Sequence, residues 1–177
     1  MRRFIAFVLA FTLFVSAKPL FASDWTKIAK RLFNASFALH TADGRIYCTG
    51  FMIDKVRKYA LTAAHCVDGA REGTPIFADG DYAVVIFQDI QTDVAVLVLP
   101  GNQRKVDLKP ASEVRVGQEA GSYGYAREIG FYEHFRVGHV AAVNQHVPWA
   151  EGTWIILDQA LAGGMSGGPV VDRDGRV

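Results

Sequence analysis

The chain is predicted to be all-β, a sandwich or a barrel, on three observations. Short runs rich in β-branched and aromatic residues recur from residue 36 onward. Gly, Asp and Pro punctuate them, as at Asp43-Gly44, Asp68-Gly69 and Asp79-Gly80. They fall into two series on either side of a polar stretch, with no internal repeat and no low-complexity tract.

The first residues are of a different kind. Arg2-Arg3 precedes the apolar stretch Phe4 to Val15, and small residues follow at Ser16-Ala17 and Ala22-Ser23. A charged start, an apolar centre and a small-residue cleavage site make a secretory signal peptide. The apolar run is shorter than the roughly 20 residues a membrane span needs, which weighs against an uncleaved anchor. Cleavage is expected after Ala17 or Ala22, with Ala22 preferred, so residues 1–22 are assigned to the signal. Next, Ser23-Asp24 caps an amphipathic helix with Trp25, Ile28, Ala29, Leu32 and Phe33 at helical spacing, an arm over 23–34. The first strand series, within 35–100, comprises Ser36–His40, Tyr47–Ile53, Tyr59–Thr62, Tyr82–Gln88 and Val94–Leu99. A linker over 101–113, bounded by Pro100-Gly101 and Pro110, has no clear period. The second series, within 114–177, comprises Glu119–Tyr125, Phe131–Val143, Thr153–Asp158 and Pro169–Asp172.

With 177 residues, half of them hydrophobic and 21% charged, the chain has room for one domain or two small halves and can bury a core. The net charge of +1, without a basic run, offers no nucleic-acid surface. Loss of the signal removes Arg2, Arg3 and Lys18 and no acid, taking the charge to −2. Export also decides how Cys48 and Cys66, the only two cysteines, are read: an even count bound for an oxidising compartment favours a disulfide. With His65 they offer three ligands at no standard zinc spacing, so no metal site is expected.

Three segments carry candidate chemistry. In Gly163-Gly164-Met165-Ser166-Gly167-Gly168-Pro169-Val170 a serine lies in a cage of glycines, which let the backbone turn tightly with N–H groups facing inward. In Leu61-Thr62-Ala63-Ala64-His65-Cys66 a histidine follows an apolar strand, and a neutral imidazole is a suitable proton acceptor for a serine hydroxyl. Asp93 opens the apolar run Val94-Ala95-Val96-Leu97, where a carboxylate needs a partner for its charge. The bland alternatives are a glycine-rich turn for Ser166, a surface histidine for His65, and Asp79, Asp81 or Asp89 in place of Asp93. His40, His134, His139 and His146 are read as surface or core residues, with His139 a candidate to line a cleft. Gly164-Met165-Ser166-Gly167-Gly168 also fits the Gly-x-Ser-x-Gly elbow of α/β-hydrolases, but in that fold the acid and histidine follow the serine.

The order His65, Asp93, Ser166 is that of the chymotrypsin-type triad, and together these segments resemble the trypsin-like serine proteases over about residues 35–177. The resemblance implies two antiparallel six-stranded-type barrels with the active site in the cleft between them. It implies Ser166 as nucleophile, His65 as general base and acid, Asp93 as orienting carboxylate, and the N–H groups of Gly164 and Ser166 as oxyanion hole. It agrees with a Cys48–Cys66 disulfide and requires no cofactor. By position, Ala160, Leu161 and Ala162 would form the base of the substrate pocket, apolar where trypsin-type enzymes carry a selecting acid. Asp158 stands close to these positions.

Departures place the chain within the family. Met165 stands where the digestive members have an aspartate that pairs with a newly cut N-terminus, and no Ile-Val-Gly-Gly segment is present. The chain therefore looks like the bacterial secreted branch. It stops at Asp174-Gly175-Arg176-Val177, inside a turn, so the second barrel is expected to be incomplete and the chain a fragment. The expected function is an exported serine endopeptidase, periplasmic or extracellular, acting on protein or peptide substrates. It would have no membrane attachment after signal cleavage. The alternative is a non-catalytic homologue that binds, or an inactive fragment.

Overall fold

The computed structural model describes residues 24–40, 46–69, 73, 75–101, 106–127, 130, 132–148 and 150–177. The signal segment, the Asp43-Gly44 turn and part of the 101–113 linker lie outside them. Among the described residues no helix is long and apolar enough to cross a membrane.

Helix α1 (Trp25–Ala35) begins at Asp24, whose carboxylate accepts from the Lys27 N–H at 3.4 Å. Leu32 and Ala35 are fully buried, and Trp25 and Ile28 pack beside them. Phe33, expected on the apolar stripe, is 43% exposed. It lies about 100° around the helix from Leu32, outside the narrow face that meets the sheets.

Six strands close a barrel in the order β1-β2-β3-β6-β5-β4: β1 (Ser36–His40), β2 (Ile46–Asp54), β3 (Tyr59–Thr62), β4 (Pro75–Ala78), β5 (Asp81–Asp89) and β6 (Val94–Val98). All the pairings are antiparallel. Among the described strands, β4 is the one missing from the sequence reading. It is four residues long and opens on Pro75, at a strand's first position, where a missing N–H is tolerated. Its pairing with both β5 and β1 completes the cylinder. Apolar side chains from small to large fill the interior: Phe37, Leu39, Met52, Ala60, Ala83, Val85, Ala95 and Leu97 are all buried.

The second half is an open four-stranded sheet, β10-β7-β8-β9, made of β7 (Glu119–Ala126), β8 (Tyr132–Val147), β9 (Ala150–Leu157) and β10 (Val170–Val171). Strand β8 runs past the predicted end at Val143, because register shifts and a left-handed Asn144 (φ 54°) let it bulge through its polar stretch. A second core joins the halves. Leu32 and Ala35 of α1, Ala38 and Phe51 of the barrel, Leu108, and Tyr123, Tyr125 and Val171 of the sheet pack together. The protein is thus mostly β, with a closed six-stranded barrel and a second antiparallel sheet.

Candidate active site

His65 stands on a 3₁₀ turn (Ala64–Val67) that follows β3 directly. The turn closes with Cys66 N–H donating to the Ala63 carbonyl at 3.1 Å, and Gln88 Nε2 donates to the Ala64 carbonyl at 3.2 Å. Cys66 is joined to Cys48 on β2, with Cα atoms 6.0 Å apart, so the turn is also anchored covalently to the neighbouring strand. The ligand-type atoms of Cys48, His65 and Cys66 lie within 4.8 Å of one another. Two sulfurs bonded to each other have no thiolate to give a metal.

Asp93 faces this turn. Its carboxylate lies 2.8 and 3.0 Å from His65 Nδ1 and also accepts the His65 backbone N–H at 2.9 Å. Its own carbonyl accepts the Ala64 N–H at 3.1 Å. At the head of an apolar run, Asp93 is expected to need a partner for its charge, and His65 supplies it. It occupies the turn before β6, in the left-handed region at φ 55°, with its side chain 29% exposed. A residue with a Cβ held there costs backbone energy, offset here by three donors converging on one aspartate. Nδ1–H donates to the carboxylate, which leaves the Nε2 lone pair free for a proton. The imidazole is 56% exposed, so that face is accessible.

The Ser166 loop leaves β9 and returns as β10. Arg127 N–H donates to the Gly163 carbonyl at 2.7 Å, and Gly168 N–H to the Met165 carbonyl at 2.9 Å. In a trans peptide the N–H points opposite the C=O, so these two bonds turn the N–H groups of Gly164 and Ser166 away from their anchors. Gly164 adopts φ 93°, and a Cβ there would collide with the Tyr125 carbonyl, so the loop requires glycine at this position.

The loop meets the histidine turn through the barrel. Thr49 N–H donates to the Ser166 carbonyl at 2.8 Å, and Cys66 Sγ lies 3.7 Å from the same oxygen. A disulfide sulfur carries no proton, so the latter is a contact and not a hydrogen bond. The buried Thr49 hydroxyl donates to the Gly164 carbonyl at 2.8 Å and accepts the Tyr125 N–H at 3.0 Å. Sequence reasoning passed over Thr49. Between Cys48 and Gly50 on β2 it is an ordinary strand residue, and only the tertiary bonds mark it.

Of the other positions, Ala160 and Leu161 are exposed and Ala162 is half-buried, its carbonyl accepting the Met165 N–H at 3.1 Å. Asp158 bonds to His139, through the backbone N–H at 2.7 Å and ring Nδ1 at 3.3 Å. The His139 backbone bond, followed by the ring, holds the Asp158 carboxyl below its ordinary value. The rival acids also have partners. Asp89 caps its own turn through Gln91 and Thr92, and Asp79 accepts the Ala38 N–H at 3.0 Å.

Comparison with known proteins agrees with this architecture. The family described as "Trypsin-like peptidase domain" matches residues 48–177. The chain is 32% identical over 142 residues to a probable periplasmic serine endoprotease DegP-like of Halomonas elongata, covering 78% of this chain and 29% of that protein. It is 29% identical over 136 residues to a probable periplasmic serine protease do/HhoA-like of Haemophilus influenzae, with 73% and 29% covered. The chain therefore spans under a third of the length of these relatives. Among solved structures, the HtrA-type protease AlgW with a tripeptide superposes with a TM-score of 0.73 at 22% identity, covering 87% of this chain and 52% of that one. The family match, over residues 48–177, shows that the chain belongs to the trypsin-like peptidase family, and the relatives it is similar to are periplasmic DegP-like and Do-like serine proteases of bacteria.

Proposed function

We propose that the protein is an exported serine endopeptidase that cleaves peptide bonds through an acyl-enzyme. Ser166 is the nucleophile, and His65 takes its proton at Nε2 and returns it to the leaving amine. Asp93 holds the imidazole in the useful tautomer and stabilises its charged form. The N–H groups of Gly164 and Ser166 receive the negative charge on the carbonyl oxygen, each typically worth about 3 kcal/mol in the transition state. The carrying observation is the bonding of Asp93 to both the ring and the backbone of His65, on a turn in contact with the Ser166 loop.

The substrate is a protein or peptide, as the protease relatives support, and its specificity side chain rests against Ala160, Leu161 and Ala162. Residues 1–22 direct export to the periplasm or beyond, where the Cys48–Cys66 bond forms. Residues 35–100 and 114–177 make the two halves of the cleft, joined by the 101–113 linker, with residues 23–34 as an arm.

Labelling the chain without its signal with a fluorophosphonate, followed by mass mapping, tests this reading. Modification confined to Ser166 and absent from Ser166→Ala and His65→Ala is expected. A well-folded chain, by circular dichroism, that takes no label would overturn the enzyme reading in favour of a binding module.

A further inference from the structure

We infer that Thr49 is a positioning residue for the oxyanion hole, acting through its side-chain hydroxyl from the opposite half of the molecule. The inference rests on the serine peptidase reading and deepens it.

The hydroxyl has one proton and uses it on the Gly164 carbonyl, while its oxygen accepts the Tyr125 N–H. Both bonds are therefore compatible with a single rotamer. Gly164 is thereby held on both sides. The peptide before it is fixed by Arg127 N–H on the Gly163 carbonyl, and the peptide after it by Thr49 on the Gly164 carbonyl. Two fixed peptide planes leave the left-handed Gly164 no freedom to rotate its N–H, the proposed oxyanion donor. The Thr49 backbone holds the other end of the loop, donating to the Ser166 carbonyl, and its own carbonyl accepts the Thr62 hydroxyl at 2.8 Å. Thr62 lies three residues before His65, so one buried residue ties the histidine strand to the serine loop.

Two glycines of the serine motif and one of β7 gain a second purpose here. A Cβ on Gly124 would meet Thr49 Oγ1 at 2.9 Å, one on Gly168 would meet Thr49 Cγ2 at 3.3 Å, and one on Gly167 would collide with the Thr49 carbonyl. Three glycines leave the space that Thr49 occupies.

Thr49→Val keeps the shape and removes both hydroxyl bonds, whereas Thr49→Ser keeps the hydroxyl. Fluorophosphonate labelling of Ser166 gives a maximal rate, a half-saturating concentration and a pH profile. For Thr49→Val the maximal rate should fall on the order of tenfold to a hundredfold, since a donor is displaced rather than removed. Half-saturation and the pH midpoint should stay put, because His65 and Asp93 are untouched. A shifted midpoint would mean damage to the histidine pair and would overturn the inference, as would a wild-type rate in folded Thr49→Val. Thr49→Ser should label at close to the wild-type rate. A folded Thr49→Ser with a lost rate would refute the hydroxyl role even if Thr49→Val fails to fold. Ser166→Ala, run beside them, separates the two readings: persistent labelling there defeats the peptidase reading, and its loss leaves Thr49 judged alone.

Discussion

In the barrel, His65 and Asp93 are fixed by their own half: a disulfide to β2, a 3₁₀ turn, the Gln88 side chain and three donors on one aspartate. In the second sheet, the Ser166 loop has its Gly164 and Ser166 carbonyls held by Thr49 of the barrel. A closed cylinder has no free edge and can complete a site alone, whereas a loop leaving an open sheet takes its shape from what it docks against. The proposed acid–base pair is therefore expected to preform, and the proposed oxyanion site to form only when the halves meet.

The largest expected effect tests the self-sufficient half. Asp93→Asn retains a residue type that tolerates φ 55° but presents an amide donor to Nδ1, so the wrong tautomer is favoured. The Ser166 labelling rate should fall about 10⁴-fold with an unchanged melting temperature. A loss below tenfold would mean that the pair is ornamental. Gly167→Ala tests the dependent half. With φ 78° and a Cβ driven into Thr62 Oγ1 and the Thr49 carbonyl, it should cost about 3–5 kcal/mol by chemical denaturation. Gly152→Ala, equally left-handed but facing open space, should cost only about 1–2 kcal/mol. Equal costs would show that the docking contact does not matter.

Reduction of Cys48–Cys66, closing a separation of 18 residues, should lower stability by about 3 kcal/mol, and labelling should fall with it as the His65 turn loosens. The smallest effect concerns the clamp of helix on sheet. Arg173, followed by the Trp25 indole, holds the Glu119 carboxyl below its ordinary value. A carboxyl lowered by folding stabilises above its unfolded value, and that contribution is lost as pH falls through the folded one. Glu119→Gln should thus lower the melting temperature by about 1–2 °C at pH 7, and the difference should shrink as pH falls below the ordinary carboxylate range. A difference that persists in acid would put the contribution elsewhere.

Most strands were visible in the sequence because each half-buried strand needs β-branched and aromatic residues, and the helix because one stripe had to be apolar. Strand β4 was not visible, since four residues led by proline acquire strand character only from partners on both sides. His65, Asp93 and Ser166 could be singled out because the chemistry proposed for them demands recognisable neighbours: glycines around the serine, a tight apolar turn at the histidine. Thr49 could not. Its significance lies in a bond to Gly164, 115 residues away, and a threonine in a strand has no local peculiarity.

Helix α1 has a consequence in time. Its Trp25 donates to Glu119, 94 residues further on, and Arg31 meets the carbonyl of Asp174, 143 residues further on. The helix is made first and seated late. At synthesis rates of about 5–20 residues per second, its apolar stripe waits roughly 5–20 s for Glu119 alone. During that interval barrel residues such as Ala38 and Phe51 can cover part of the stripe, but the part that seats on β7 has no cover until its sheet is made.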